Sequence, residues 1–165
     1  MLRAHEIEVL GDVRTIPRSR HNPQFEQAAL AAALTDAGIE YMHLRSLGGL
    51  RHPRHDSLNT AWRNASFRGY ADYMQTPEFE RALAELTEAG AKRRIAILCS
   101  EAVPWRCHRS LIADALAARG VPVEHILSAT SVKHHKITPF ARIEGVRITY
   151  PSIADNEQRG MSSQG

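Results

Sequence analysis

Arg94-Ile-Ala-Ile-Leu-Cys99 decides the fold. Its inner residues are apolar without alternation, the pattern of a strand covered on both faces. A polar turn follows at 100–106, and His108-Arg-Ser-Leu-Ile-Ala-Asp-Ala-Leu-Ala-Ala-Arg119 then reads as a helix. Upstream, Glu6-Ile-Glu-Val-Leu-Gly-Asp-Val13 and Ile39-Glu-Tyr-Met-His-Leu44 read as two more strands. The helix between them has Asn22 suited to its cap, Pro23 to its first turn and Gly38 to its end. Residues 77–89 predict a helix that stops at Gly90, and Val121-Pro-Val-Glu-His-Ile-Leu127 a fourth strand. Residues 143–150 predict a fifth, within a hairpin turning at Gly145. Such alternation predicts an α/β fold, a three-layer α/β/α domain with a mostly parallel central sheet. A chain of 165 residues, 43% of them hydrophobic, suits one domain over 1–151. Residues 152–165 are polar and aperiodic, and are expected to form a disordered tail.

In such sheets ligands bind beyond the carboxyl ends of the strands, so the polar clusters after Val13, Leu44 and Leu98 are expected to converge. The net charge is only +3, yet 18 of the 21 basic residues are Arg, which forks onto carboxylate or phosphate. Residues 13–25 hold Arg14, Arg18, Arg20 and His21 without an acid, and 42–70 hold five arginines and three histidines against Asp56 alone. These loops predict positive potential toward an anionic partner, or else a solvated surface. No apolar run is long enough to span a membrane and no secretory signal pattern opens the chain, so a cytoplasmic protein without membrane contact is expected.

Three groups of residues carry possible chemistry. Asp12, with Arg14, Arg18 and Arg20 beyond it, stands where the first strand leaves the sheet. There the carboxylate can orient an arginine, hold a metal or accept a proton while the arginines hold phosphate oxygens, or else Asp and Arg form an ion pair that only shapes the loop. The second group is Cys99, Glu101, Cys107, His108 and Arg109. A helix N-terminus with cationic neighbours favours a thiolate at Cys107, which makes Cys107 the better nucleophile and Cys99 a half-buried filler. Glu101 is an acid/base partner or a helix cap. The spacing from Cys99 to Arg106 is one position longer than in thiol-phosphatase and rhodanese loops, which disfavours that mechanism. The third group is Trp62 and Arg63, placed to stack on a base, while Phe67, Tyr70 and Tyr73 read as the inner face of a helix. Cysteines and histidines are present without paired zinc-type spacing, so neither a metal nor another cofactor is expected.

Asp12-Val-Arg14, Pro17-Arg-Ser-Arg20, Leu47-Gly-Gly-Leu-Arg51, Trp62-Arg-Asn64, Phe67-Arg-Gly-Tyr-Ala-Asp-Tyr73, Cys99-x-Glu101 and Cys107-His-Arg109 together resemble the domain-of-unknown-function 488 family over residues 7–150. The resemblance implies a three-layer α/β domain and brings no established reaction. It also implies an opening strand and helix, of which Met1-Leu-Arg-Ala-His5 resembles only the last turn. A sheet edge exposed by that loss invites a homodimer. Arg45-Ser46 stands where relatives often carry Pro-Glu, which makes the pocket more basic.

The leading expectation is an enzyme or former enzyme that binds a phosphate-bearing ligand, a nucleotide or nucleic-acid end, through Arg14, Arg18 and Arg109. Asp12 and Glu101 would orient groups or move protons, and Cys107 with His108 would form the reactive pair. The alternatives are a noncatalytic nucleic-acid-binding module, or a thiol redox or sensor protein. The last requires Cys99 and Cys107 to approach within about 7 Å between Cα atoms.

Overall fold

A computed structural model of the chain describes residues 1–153. Most of the tail expected at 152–165 therefore lies outside the described residues. Three strands form a parallel sheet in the order β2-β1-β3: β1 (Val9–Asp12) is central, between β2 (Glu40–His43) and β3 (Ile95–Leu98). The register sets Asp12 beside both His43 and Leu98, so the three polar clusters leave the sheet at one level.

Successive strand side chains point to opposite faces, and that alternation sorts the core. Leu10, Tyr41, Ala96 and Leu98 pack with Leu30 and Leu34 of helix α1 (Gln27–Asp36). Val13, Met42, Ile95 and Ile97 face the opposite way. They pack with helices α2 (Ala65–Tyr73), α3 (Pro77–Lys92) and α4 (Arg109–Ala117). Helix, sheet and helices make the expected α/β layers.

Local chemistry sets the helix starts. The Asn64 side chain accepts from the Ser66 and Phe67 amides at 2.8 and 3.3 Å, capping α2. Thr76 caps α3 through the Phe79 amide, with Pro77 in the first turn. Helix α3 nonetheless runs past Gly90, where it was expected to stop. A glycine costs about 1 kcal/mol in a helix interior, and the buried stripe Phe79, Ala82, Leu83 and Leu86 holds the helix against that cost. Residues 23–25 are likewise not the start of α1: they form a separate 3-10 turn, and extended Glu26 divides it from the helix.

The fourth expected strand departs most. Strand β4 (Glu124–Ile126) joins no parallel sheet and pairs antiparallel with β5 (Val132–His134). The short turn between them, closed by the Leu127 amide on the Ser131 carbonyl, brings a partner nearer in sequence than β3. Strand β3 consequently lies at the sheet edge. The hairpin expected at Gly145 is present as β6 (Arg142–Glu144) and β7 (Arg147–Thr149), with Gly145 at a φ of 63° that a side chain would strain. Among the described residues no helix is long and apolar enough to cross a membrane.

Candidate functional site

The loop after β3 and the start of α4 bring Cys99 and Cys107 together. Their Sγ atoms are 2.7 Å apart, and both cysteines are free thiols. Cys107 is only 3% exposed, while Cys99 is half-buried. Cys107 stands immediately before the first turn of α4, and its sulfur takes up helix-terminal donors: the Arg109 backbone amide and the Arg109 Nε–H both donate to Sγ at 3.4 Å. These donors favour negative charge on sulfur.

The two thiols are driven apart in acidity. The hydrogen bond from Cys99 lowers the Cys107 pKa, aided by His108 and the Arg109 amide and opposed by burial. The same sulfur contact, followed by burial, raises the Cys99 pKa. Both shifts favour negative charge on Cys107 over Cys99. The Glu101 amide in turn donates to Cys99 Sγ at 3.3 Å.

His108 completes the group. Its Nε2 lies 3.3 Å from the carbonyl oxygen of Val13, an acceptor only, so in the neutral ring Nε2 carries the proton. Nδ1 then faces Cys107 Sγ, 3.6 Å away, accepting from the thiol or, once the ring has taken up that proton, donating to the thiolate. The ring leans on Tyr70, centroid to centroid 4.9 Å, and Tyr70 is itself anchored by its hydroxyl to the Leu47 carbonyl. Gly49 closes the other side: a Cβ there would stand 2.4 Å from His108 Nδ1. Only glycine permits that approach.

A cavity of about 310 Å³ opens over the two sulfurs. Its walls include Arg14, Thr15, Gly49, Phe67, Glu101, Arg106 and His108. The volume suits a small molecule.

A family model described as Domain of unknown function DUF488 matches residues 1–116. The chain belongs to that family. No curated protein and no solved structure matches it. The DUF488 match ends within α4, just beyond the cysteine–histidine–arginine word, so it includes every residue of the sulfur site.

The remaining residues singled out in the sequence fall into distinct places. Asp12 is fully buried and accepts from the Arg14 amide at 3.0 Å, from Arg14 Nε and Nη2 at 2.9 and 2.5 Å, and from the Tyr41 hydroxyl at 2.7 Å. Burial raises its pKa, but these hydrogen bonds outweigh burial and hold it below the ordinary carboxylate value. Tyr41 is shifted upward by burial and by the same carboxylate. Arg14 also donates to the Phe25 carbonyl, which leaves its guanidinium largely committed within the protein. Arg109 is spent on Cys107 and on the Glu101 carbonyl. Arg18 lines a separate depression with His43 and Arg45, and Arg20 and Arg63 are exposed.

Trp62 sits in an aromatic cluster with Phe67, Phe140 and Tyr150, at centroid distances of 4.8, 4.9 and 5.5 Å. Its faces meet protein, which accounts for Trp62 as core packing. Phe67, Tyr70 and Tyr73 pack inward from α2, as their spacing indicated. Three groups that position the DUF488 site had been assigned no role in it: the Val13 carbonyl, Tyr70 and Gly49. The adjacent glycines of Leu47-Gly-Gly-Leu-Arg51 were the one available signal, because paired glycines mark close backbone approach.

Proposed function

We propose that the site is a redox-active dithiol that reduces a small hydroperoxide and closes a bridge between Cys99 and Cys107. The observation that carries this reading is the 2.7 Å separation of the two sulfurs beneath an open cavity. Cys107 attacks the peroxide's terminal oxygen. The S–O bond forms, the O–O bond breaks, and the alkoxide leaves as an alcohol after taking a proton. Cys99 then gives up its proton and attacks the sulfenic sulfur, forming the S–S bond and expelling hydroxide, which that proton converts to water. Two electrons pass from the two thiols to one peroxide.

His108 is the proton acceptor beside Cys107, because the Val13 carbonyl holds its ring with Nδ1 toward the sulfur. The proton that His108 takes from Cys107 is the one with which the alkoxide leaves. The test is mass spectrometry after mild peroxide. Wild type should lose both alkylatable thiols and two hydrogens, Cys99→Ser should stop at a sulfenic acid trapped by a dione reagent, and Cys107→Ser should do neither. A wild-type protein that keeps both thiols refutes the reading.

A phosphate-bearing ligand, nucleotide or nucleic-acid end, is the second reading, favoured by Arg106 on the same cavity wall. It would rest on Arg106 with Ser66 and Ser100, since Arg14 and Arg109 donate to Asp12 and Cys107. Thermal stabilisation by phosphate that persists in Arg106→Ala would rule out that placement.

A further inference from the structure

Cys99 Sγ, Cys107 Sγ and a ring nitrogen of His108 all lie within 4.8 Å of one another. Two thiols and an imidazole are the donor set that zinc prefers, and three protein ligands with an open fourth position are the pattern of a reactive zinc centre. We propose that the reduced protein binds one Zn(II) ion through Cys99, Cys107 and Nδ1 of His108, with the fourth position facing the 310 Å³ cavity.

Three features beyond ligand type carry this. Zinc bonds of about 2.3 Å to sulfur and 2.0 Å to nitrogen place neighbouring tetrahedral ligands about 3.5–3.8 Å apart. Cys107 Sγ and His108 Nδ1 are already 3.6 Å apart, and the two sulfurs need to separate by only about 1 Å from their present 2.7 Å. The imidazole is oriented as metal-bound histidines are: the Val13 carbonyl takes the Nε2 proton and leaves Nδ1 free to coordinate. Donors to sulfur are also in place, from the Arg109 amide and side chain to Cys107 and from the Glu101 amide to Cys99. They offset the charge that two thiolates bring to one ion.

The proposal shares the thiols of the dithiol reading and needs them reduced, but not that they react with peroxide. Zinc on the reduced pair and a bridge on the oxidised pair exclude each other, so oxidation would release the ion.

The experiment is titration of the reduced, metal-free full chain with Co(II), followed by displacement with Zn(II) against a chromophoric chelator. Wild type should show a thiolate-to-cobalt charge-transfer band, tetrahedral cobalt absorption and one metal per chain. His108→Ala should weaken Zn(II) binding at least about tenfold. Cys99→Ser/Cys107→Ser should lose the band. Wild type that binds Zn(II) no better than the double variant, or His108→Ala that binds it as tightly as wild type, overturns the site. A bridge without zinc binding rejects this proposal and leaves the redox reading standing. Zinc binding without a bridge does the reverse.

Discussion

His108 Nδ1 faces Cys107 Sγ at 3.6 Å because its Nε2 is held by the carbonyl of Val13, a residue 95 positions earlier in the chain. A strand end thereby sets the orientation of an imidazole at a helix start. The arrangement depends on several fixed distances, and each is open to measurement.

Gly49→Ala would place a methyl 2.4 Å from His108 Nδ1, with the ring backed by Tyr70. Overpacking of this kind costs about 1–3 kcal/mol. The variant is expected to unfold at lower denaturant and to form the Cys99–Cys107 bridge more slowly. Wild-type stability together with a wild-type rate would show that the ring does not need the glycine.

Arg109→Ala removes the Nε–H donor from Cys107 Sγ but keeps the backbone amide. A hydrogen bond to a charged group contributes about 1.5–3 kcal/mol, so the pH at which Cys107 begins to react with peroxide is expected to rise by about one unit or more. Stopped-flow kinetics of thiol loss across pH would show it, and an unchanged pH profile would exclude Arg109 as a support of the thiolate.

Asp12→Asn leaves the Arg14 guanidinium, 7% exposed, without its carboxylate. Removing one partner of a buried ion pair costs about 3 kcal/mol or more. Urea unfolding is expected to show that loss, and a cost below about 1 kcal/mol would mean that water replaces the pair.

Acid should reveal the same carboxylate. Asp12 sits below its ordinary value of 3.8 in the folded protein, so its stabilisation is complete above that pH and is lost as pH falls through the folded pKa. Below about pH 4 the unfolding free energy of wild type is expected to fall more steeply than that of Asp12→Asn. Parallel slopes would assign the acid sensitivity to other carboxylates.

The Trp62 Nε1 atom is buried without a hydrogen-bond partner, so Trp62→Phe deletes no bond and should cost less than about 1 kcal/mol. Trp62→Ala empties the space between Phe67, Phe140 and Tyr150 and should cost about 3 kcal/mol. Thermal denaturation of the two variants separates them. Equal stability would place the indole outside the core, where it could meet a base.

The sequence alone determined the elements whose signals are local. The unbroken apolar run before Cys99 and the turn at Gly145 each act over a few residues, and the structure keeps them, whereas the Asn22 and Pro23 signals start only a separate 3-10 turn. The same local signals fixed that three polar clusters would meet, because parallel strands end at one edge. Tertiary structure decided what those clusters became. Arg14 could have turned outward to a phosphate, but Asp12 and Tyr41 meet only in the folded sheet, and their buried carboxylate–hydroxyl pair draws the guanidinium in. Strand β4 took its near neighbour β5 in place of the sheet edge, a choice set by loop closure and invisible to periodicity. Cys99 looked like filler and Cys107 like the nucleophile, and their pairing stood only as one alternative. Their contact depends on how the loop between them folds back onto α4, and the facing imidazole on a carbonyl from another strand, so both were fixed by contacts far outside any local sequence window.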